Sequence, residues 1–257
     1  MSASARNEPS GATAQPLSMP MDNPAFPVSP ITFGARHGLT VITQADPELL
    51  QQLLRLPLSS VGNKLIIQFN FNTITSPIQV DYPNVTVIVP AVFGEQAGLY
   101  FARVYEGSAQ ATMLSLWGRE IWGFPKVAAD VEVIRHSSSG TARMVCANGI
   151  AKANVLVEFT DTPAFEKPQS DLSVFCRKMI PRSDGQGYDI DRLVLAPILN
   201  TRERHVAVRI IQCDFQIDLG GKQRTVPVDQ EATAFWYDQD PGLVLNLGQD
   251  VHDYLAK

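Results

Sequence analysis

The sequence predicts a mainly β protein whose antiparallel sheet curls or closes on itself. Three observations lead there. Seven runs read as strands, Lys64 to Phe71, Asn84 to Val92, Leu99 to Glu106, Val131 to His136, Thr141 to Asn148, Ala153 to Phe159 and Val206 to Leu219. The connections Gly94 to Gly98, Ser137 to Gly140 and Gly220-Gly221 have hairpin character. Finally, 257 residues with 45% hydrophobic and 18% charged residues can bury one large core, so a single domain over 21–257 is expected.

Met1 to Pro20 is rich in Ser, Ala, Pro, Gly and Asn, has no apolar core segment, and reads as a disordered tail without a secretory signal. In Asn23 to Pro30 three prolines fix φ and remove donors, so an extended path is expected, held by packing of Phe26 and Ile31. The clearest helix begins at Asp46, a capping residue, with Pro47 at a favoured first position and Glu48 near the positive end of the dipole. Leu49, Leu50, Leu53 and Leu54 give it one apolar face. No internal repeat is present.

Acidic and basic residues are mixed along the chain and sum to a net charge of -5, which argues against a nucleic-acid partner. No apolar run approaches the roughly 18 to 20 residues that cross a bilayer, so no membrane insertion is expected. Cys146, Cys176 and Cys213 are widely spaced and lie in apolar or strand-like sequence. Buried reduced thiols in a cytoplasmic protein are the expectation. His37, His136, His205 and His252 show no metal spacing and read as surface residues, so neither a metal nor a cofactor is expected.

The most unusual stretch runs from Trp117 to Val127 (WGREIWGFPKV), where charged residues sit among two tryptophans and a phenylalanine. A lysine held in such an apolar setting loses solvation of its ammonium form. Its pKa falls and a neutral, nucleophilic amine becomes available. The ordinary alternative is a lysine whose stem packs on the aromatics while its head reaches water.

Gly118-Arg-Glu-x-x-Gly-Phe-Pro-Lys126 resembles the imine-lysine motif of the acetoacetate decarboxylase-like family. The segment from Asn23 to Phe33 with Arg36, the stretch Lys178 to Gly185 and the closing Val251 to Leu255 are similar to other segments of that family. The resemblance implies a cone-like closed antiparallel β-barrel with a few flanking helices, an apolar interior holding Lys126, and homo-oligomers. Activation of such a lysine by desolvation or a neighbouring cation is a known pattern for acetoacetate decarboxylase, and here it is carried over with the resemblance.

The chain departs from that family in three places. Val127 stands where the decarboxylases carry a second lysine, and Gln68 and Asn84 fall where they carry two glutamates. An amide positions a carbonyl or hydroxyl but relays no proton near neutral pH. Arg36 matches the family arginine near the substrate entrance and suits a carboxylate, with a surface ion pair as the ordinary alternative. Arg119 and Glu120 are expected to support the motif as a structural pair, alongside Trp122 and Phe124. Glu95 and Glu106 are the carboxylates nearest to the motif, and either could supply the missing acid or base. Their turn and strand-end settings favour solvated positions.

Two functions follow. One is a lyase forming a Lys126 imine with a small keto acid or related carbonyl compound, for decarboxylation or for aldol, dehydration or cyclisation chemistry. The other is a non-catalytic barrel binding a small apolar molecule.

Overall fold

The structure, a computed structural model, describes residues 30–107, 111–228 and 232–256. The expected tail and most of the proline-rich segment, Phe26 included, lie outside the described residues. The chain runs through β1 (Ile31–Phe33), β2 (Arg36–Gln44), α1 (Pro47–Leu53), β3 (Ser59–Ser60), β4 (Lys64–Ser76), β5 (Val80–Phe93) and β6 (Gln96–Glu106). Then come α2 (Ala111–Ile121), β7 (Lys126–Arg135), β8 (Ser139–Cys146), β9 (Lys152–Phe159), β10 (Phe165–Lys167) and β11 (Ser170–Pro181). The last elements are β12 (Tyr188–Asn200), β13 (Glu203–Leu219), β14 (Lys222–Val226), β15 (Thr233–Gln239), β16 (Val244–Leu245) and β17 (Gln249–Asp253).

Helix α1 forms as its sequence dictates. The Asp46 carboxylate accepts from the Leu49 amide at 2.7 Å, and Leu49, Leu50 and Leu53 are buried.

The sheet closes into a ring, as its hairpin signals suggested. Pairing leads from β6 through β5, β4, β2, β15, β13, β9, β8 and β7 back to β6. Each strand of this nine-strand circuit contributes to one packed core that includes Leu39, Phe69, Val87, Met144, Phe215 and Trp236. A second circuit reuses β4, β5 and β6 and returns through β11, β12, β16 and β1. Strand alternation therefore sends one set of side chains from the shared strands into the packed core and the other set towards the second circuit. The sheet is not wholly antiparallel, because β7 and β11 both pair with β6 in parallel.

Strand β6 carries one irregularity. Ile88 pairs with Phe101 but Val87 pairs with Arg103, so Ala102 is an extra residue, a β-bulge. Leu99 and Phe101 face the second circuit before the bulge, and Val104 faces it after. Straight alternation would have placed Arg103 and Tyr105 there instead.

Candidate active site

A cavity of about 280 Å³, at the small end of the range for ligand pockets, lies between the second circuit and the neighbouring strands β2, β7, β13 and β15. Three successive rows across the sheet build its wall. The first row runs Phe235, Thr40, Gln68, Thr86, Val104 and Lys126, each paired with the next and all lining the cavity. The second places Tyr237, Gly38, Asn70, Asn84 and Glu106 in register. Gln239 pairs with Arg36 in the third, and Asn72 pairs with Tyr82.

Helix α2 covers the Lys126 end of the cavity. Leu114, Trp117, Gly118 and Trp122 recur at helical spacing and form its inward face. Gly123 follows at a φ of +78°, and a Cβ there would meet the backbone nitrogen of Lys178 at 2.6 Å. Glycine thus allows both the sharp turn into β7 and the close packing against β11. Trp117 meets Trp122 edge-on at 5.7 Å, and Trp122 stacks on Phe124 at 5.9 Å. The Trp122 indole donates to the carbonyl of Asn246 at 2.8 Å, which fixes its plane.

Lys126 opens β7 with its side chain turned into this apolar end. Its Nζ lies 2.7 Å from Glu106 Oε2, donates to the Leu114 carbonyl at 3.1 Å, and sits 5.8 Å from the centre of the Tyr82 ring. Only 8% of the lysine side chain and none of the glutamate side chain is exposed. Burial lowers the Lys126 pKa against the opposing pull of Glu106, and burial raises that of Glu106 against the pull of Lys126. The 2.7 Å approach lies outside hydrogen-bonding angles, so it is an ion-pair contact. Neither carboxylate oxygen has a hydrogen-bond partner of good geometry among the described residues.

The placement of Glu106 corrects the expectation that it is a solvated strand end. The bulge at Ala102 turned it inward. Glu95 is exposed, as expected. Arg119 and Glu120 are also exposed on α2, away from its inward face, and neither lines the cavity. The expected supporting pair is therefore not part of this site. Val127 is 38% exposed and points away from Lys126, so losing a lysine at that position leaves the cavity lining unchanged.

Gln68, Asn84 and Arg36 line the same cavity as Lys126. Gln68 Nε2 reaches Thr40 at 3.4 Å, and Asn84 Oδ1 accepts from Asn70 at 2.7 Å. Tyr237 in turn donates to Asn70, and burial pushes its phenol up to about 12. Arg36 is not in a surface ion pair among the described residues. It donates through Nε to Asn72 at 2.8 Å and through Nη1 to Gln239 at 2.9 Å, with Phe33 below its guanidinium at 5.4 Å.

A further polar group escaped the sequence reading. Glu203 accepts from Asn200 at 3.0 Å and from Gln239 at 3.2 Å, faces Lys167 at 3.4 Å, and pairs with His205 Nε2 at 2.8 Å. His205 stacks on Phe235 at 4.2 Å. His205 therefore lines the cavity, and His37 lies between Phe71 and Trp236, so these two are not simply surface residues, whereas His136 is exposed as expected. Two of the thiols, Cys146 and Cys176, are buried, and all three cysteines are free.

Burial works to raise the Glu203 carboxyl, but its hydrogen bonds and the Lys167 charge outweigh this and hold it below its ordinary value. A depressed carboxyl stabilises the fold above its unfolded pKa of about 4.3, and that stability is lost as pH falls through the lower folded value. Glu203→Gln is expected to show a smaller loss of urea resistance than wild type as pH falls from about 5 to about 3. Equal losses would mean that other carboxyls carry the acid sensitivity.

The acetoacetate decarboxylase family model matches residues 16–224. The chain belongs to the acetoacetate decarboxylase family. It is 28% identical to the acetoacetate decarboxylase of Burkholderia vietnamiensis, over 97% of this chain and 100% of that one. The match to the Burkholderia cenocepacia acetoacetate decarboxylase, also 28% identical, spans 48% of each chain. The fold is shared with the acetoacetate decarboxylase of Legionella pneumophila, at a TM-score of 0.66 and 20% identity over 96% of this chain and 100% of that one. It is also shared with the enduracididine biosynthesis enzyme MppR in complex with pyruvate, at a TM-score of 0.66 and 14% identity over 93% and 98%. Membership of this family supports lysine Schiff-base lyase chemistry in general terms.

Proposed function

We infer that the cavity binds a small keto acid or related carbonyl compound, that Lys126 attacks its carbonyl carbon to form an imine, and that the imine serves as the electron sink for breaking or making an adjacent carbon–carbon bond. The observation that carries this reading is the burial of Lys126 at the aromatic end of the cavity, among Trp117, Trp122 and Phe124, where the ammonium form is disfavoured. The reaction is decarboxylation or aldol, dehydration or cyclisation chemistry. The MppR structure with pyruvate supports a 2-oxo acid as a ligand that this fold accommodates. A cytoplasmic homo-oligomer with its thiols reduced is part of the reading.

Gln68 and Asn84 hold the polar groups of the substrate, and acetoacetate itself is a poor substrate because these amides neither ionise nor relay a proton near neutral pH. Carbon dioxide release from acetoacetate at an ordinary enzymatic rate, about 10 per second, would contradict this. Arg36 binds a carboxylate. Its scaffold of Asn72 and Gln239 engages Nε and Nη1. Arg36→Ala is expected to raise KM for an acidic substrate about 10-fold to 100-fold, the cost of one charged hydrogen bond, and to affect a neutral analogue less. Equal losses for both would make Arg36 a structural residue.

The direct test is intact mass after borohydride reduction with a panel of keto acids and aldehydes, followed by peptide mapping. A stable adduct at Lys126 supports the enzyme. Apolar ligands that bind while no carbonyl compound gives an adduct would make the cavity a binding module.

A further inference from the structure

The pairing of Lys126 with Glu106 bears on how the imine is made, and the inference drawn from it rests on the imine reading above. Glu106 is fully covered, lies 2.7 Å from the reacting nitrogen, and has no other partner of good hydrogen-bonding geometry among the described residues. A buried carboxylate in that position requires a cation beside it. We propose that Glu106 is the catalytic base and acid of Lys126, taking the ammonium proton so that the amine can attack and returning it to the carbinolamine hydroxyl so that water can leave.

The step balances within the pair. One proton moves from Nζ to Glu106 and leaves a neutral amine beside a neutral acid. The nitrogen lone pair forms the carbon–nitrogen bond while the carbonyl π pair moves to oxygen, and a nitrogen proton then neutralises that oxygen. Glu106 protonates the resulting hydroxyl, the carbon–oxygen bond breaks, and the nitrogen lone pair closes the carbon–nitrogen double bond. One carbonyl is consumed, one water is released, and an iminium faces the carboxylate where the ammonium stood. The pair carries no net charge before or after, so the buried site need not solvate a new ion at the end of the step. Gln68 and Asn84 cannot perform it, having no acid proton to give.

The other groups around the pair leave neutral pH to these two residues. Tyr82 of β5 faces Nζ, Ser115 of α2 approaches Glu106, and Cys176 of β11 packs in the same apolar cluster. Burial pushes both the Tyr82 phenol and the Cys176 thiol up, which keeps them neutral. Beyond Tyr82 lies the Arg36 guanidinium, and Arg119 and Glu120 face outward from α2.

A proton that shuttles inside the pair makes imine formation insensitive to pH across the neutral range. The test is the rate of borohydride trapping with pyruvate, read by intact mass between about pH 6 and 8, in wild type, Glu106→Gln and Glu106→Asp. Wild type is expected to give a flat profile. Glu106→Gln should trap about 100-fold more slowly and with a rate that falls as pH rises, because the carbinolamine hydroxyl must then draw its proton from solvent. Glu106→Asp should recover part of the rate and the flat profile. An equal rate and profile in Glu106→Gln, or a steep profile in wild type, would overturn the proposal while leaving the imine intact. Should Glu106→Gln fail to fold, the wild-type and Glu106→Asp profiles decide. No adduct at Lys126 in wild type would overturn the imine reading and this proposal with it.

Discussion

Gly118→Ala is expected to slow imine formation at Lys126 about 100-fold while leaving the fold intact, a loss typical of displacing a reacting group by about 1 Å. A Cβ at position 118 would lie 2.6 Å from Lys126 Cε and 3.0 Å from Nζ. The lysine stem must then shift, yet its end is held by Glu106 at 2.7 Å and the Leu114 carbonyl at 3.1 Å. Moving the stem takes the amine away from its proton partner. The helix itself gains, since alanine is favoured over glycine there by about 1 kcal/mol. Thermal unfolding should therefore remain at or above the wild-type midpoint while borohydride trapping collapses. Wild-type trapping in this variant would show that the amine has room to spare.

Phe69→Ala is expected to lose about 3 to 5 kcal/mol of stability, as large core truncations do. Phe69 is fully buried on β4 and meets Phe215 of β13 edge-on at 6.2 Å, across the packed nine-strand circuit. For a chain of this size the loss corresponds to a fall of about 6 to 20 °C in midpoint. Gln68 and Asn70 flank it and face the cavity instead, so trapping measured well below the midpoint should survive. A loss under about 1 kcal/mol by urea titration would mean that the circuit relaxes to fill the space.

Much of the fold was legible because its signals are local. Each of the seven expected strands is present, several of them longer than expected, and Asp46 caps the helix it was expected to cap. Strands β2, β11, β12 and β15 were not read, although Asp184-Gly-Gln-Gly187 marks the turn between β11 and β12. Helix α2, which carries most of the Trp117 to Val127 motif, was not expected. Helical spacing of Leu114, Trp117, Gly118 and Trp122 would have revealed it, and would also have put Arg119 and Glu120 on the outer face. Gln68, Asn84, Arg36 and Lys126 were grouped through the family resemblance, and the sheet brings all four to one cavity. Glu203 and His205 come from a strand 77 residues or more beyond Lys126 in sequence, and nothing local marks them.

Glu106 was missed for a different reason, and the reason outlasts this one chain. A strand carries a phase as well as a sequence, and the additional residue at Ala102 resets that phase for everything up to the end of β6. Were Ala102 paired in straight alternation instead of bulging, the Tyr105 phenol would stand opposite Asn84 in place of the Glu106 carboxylate, with no substitution anywhere in the site. The acid–base inventory of this cavity is thus fixed by a count of residues as much as by their identity. Any comparison of related chains that lets a gap slide by one position along β6 will assign the wrong side chain to the reacting amine.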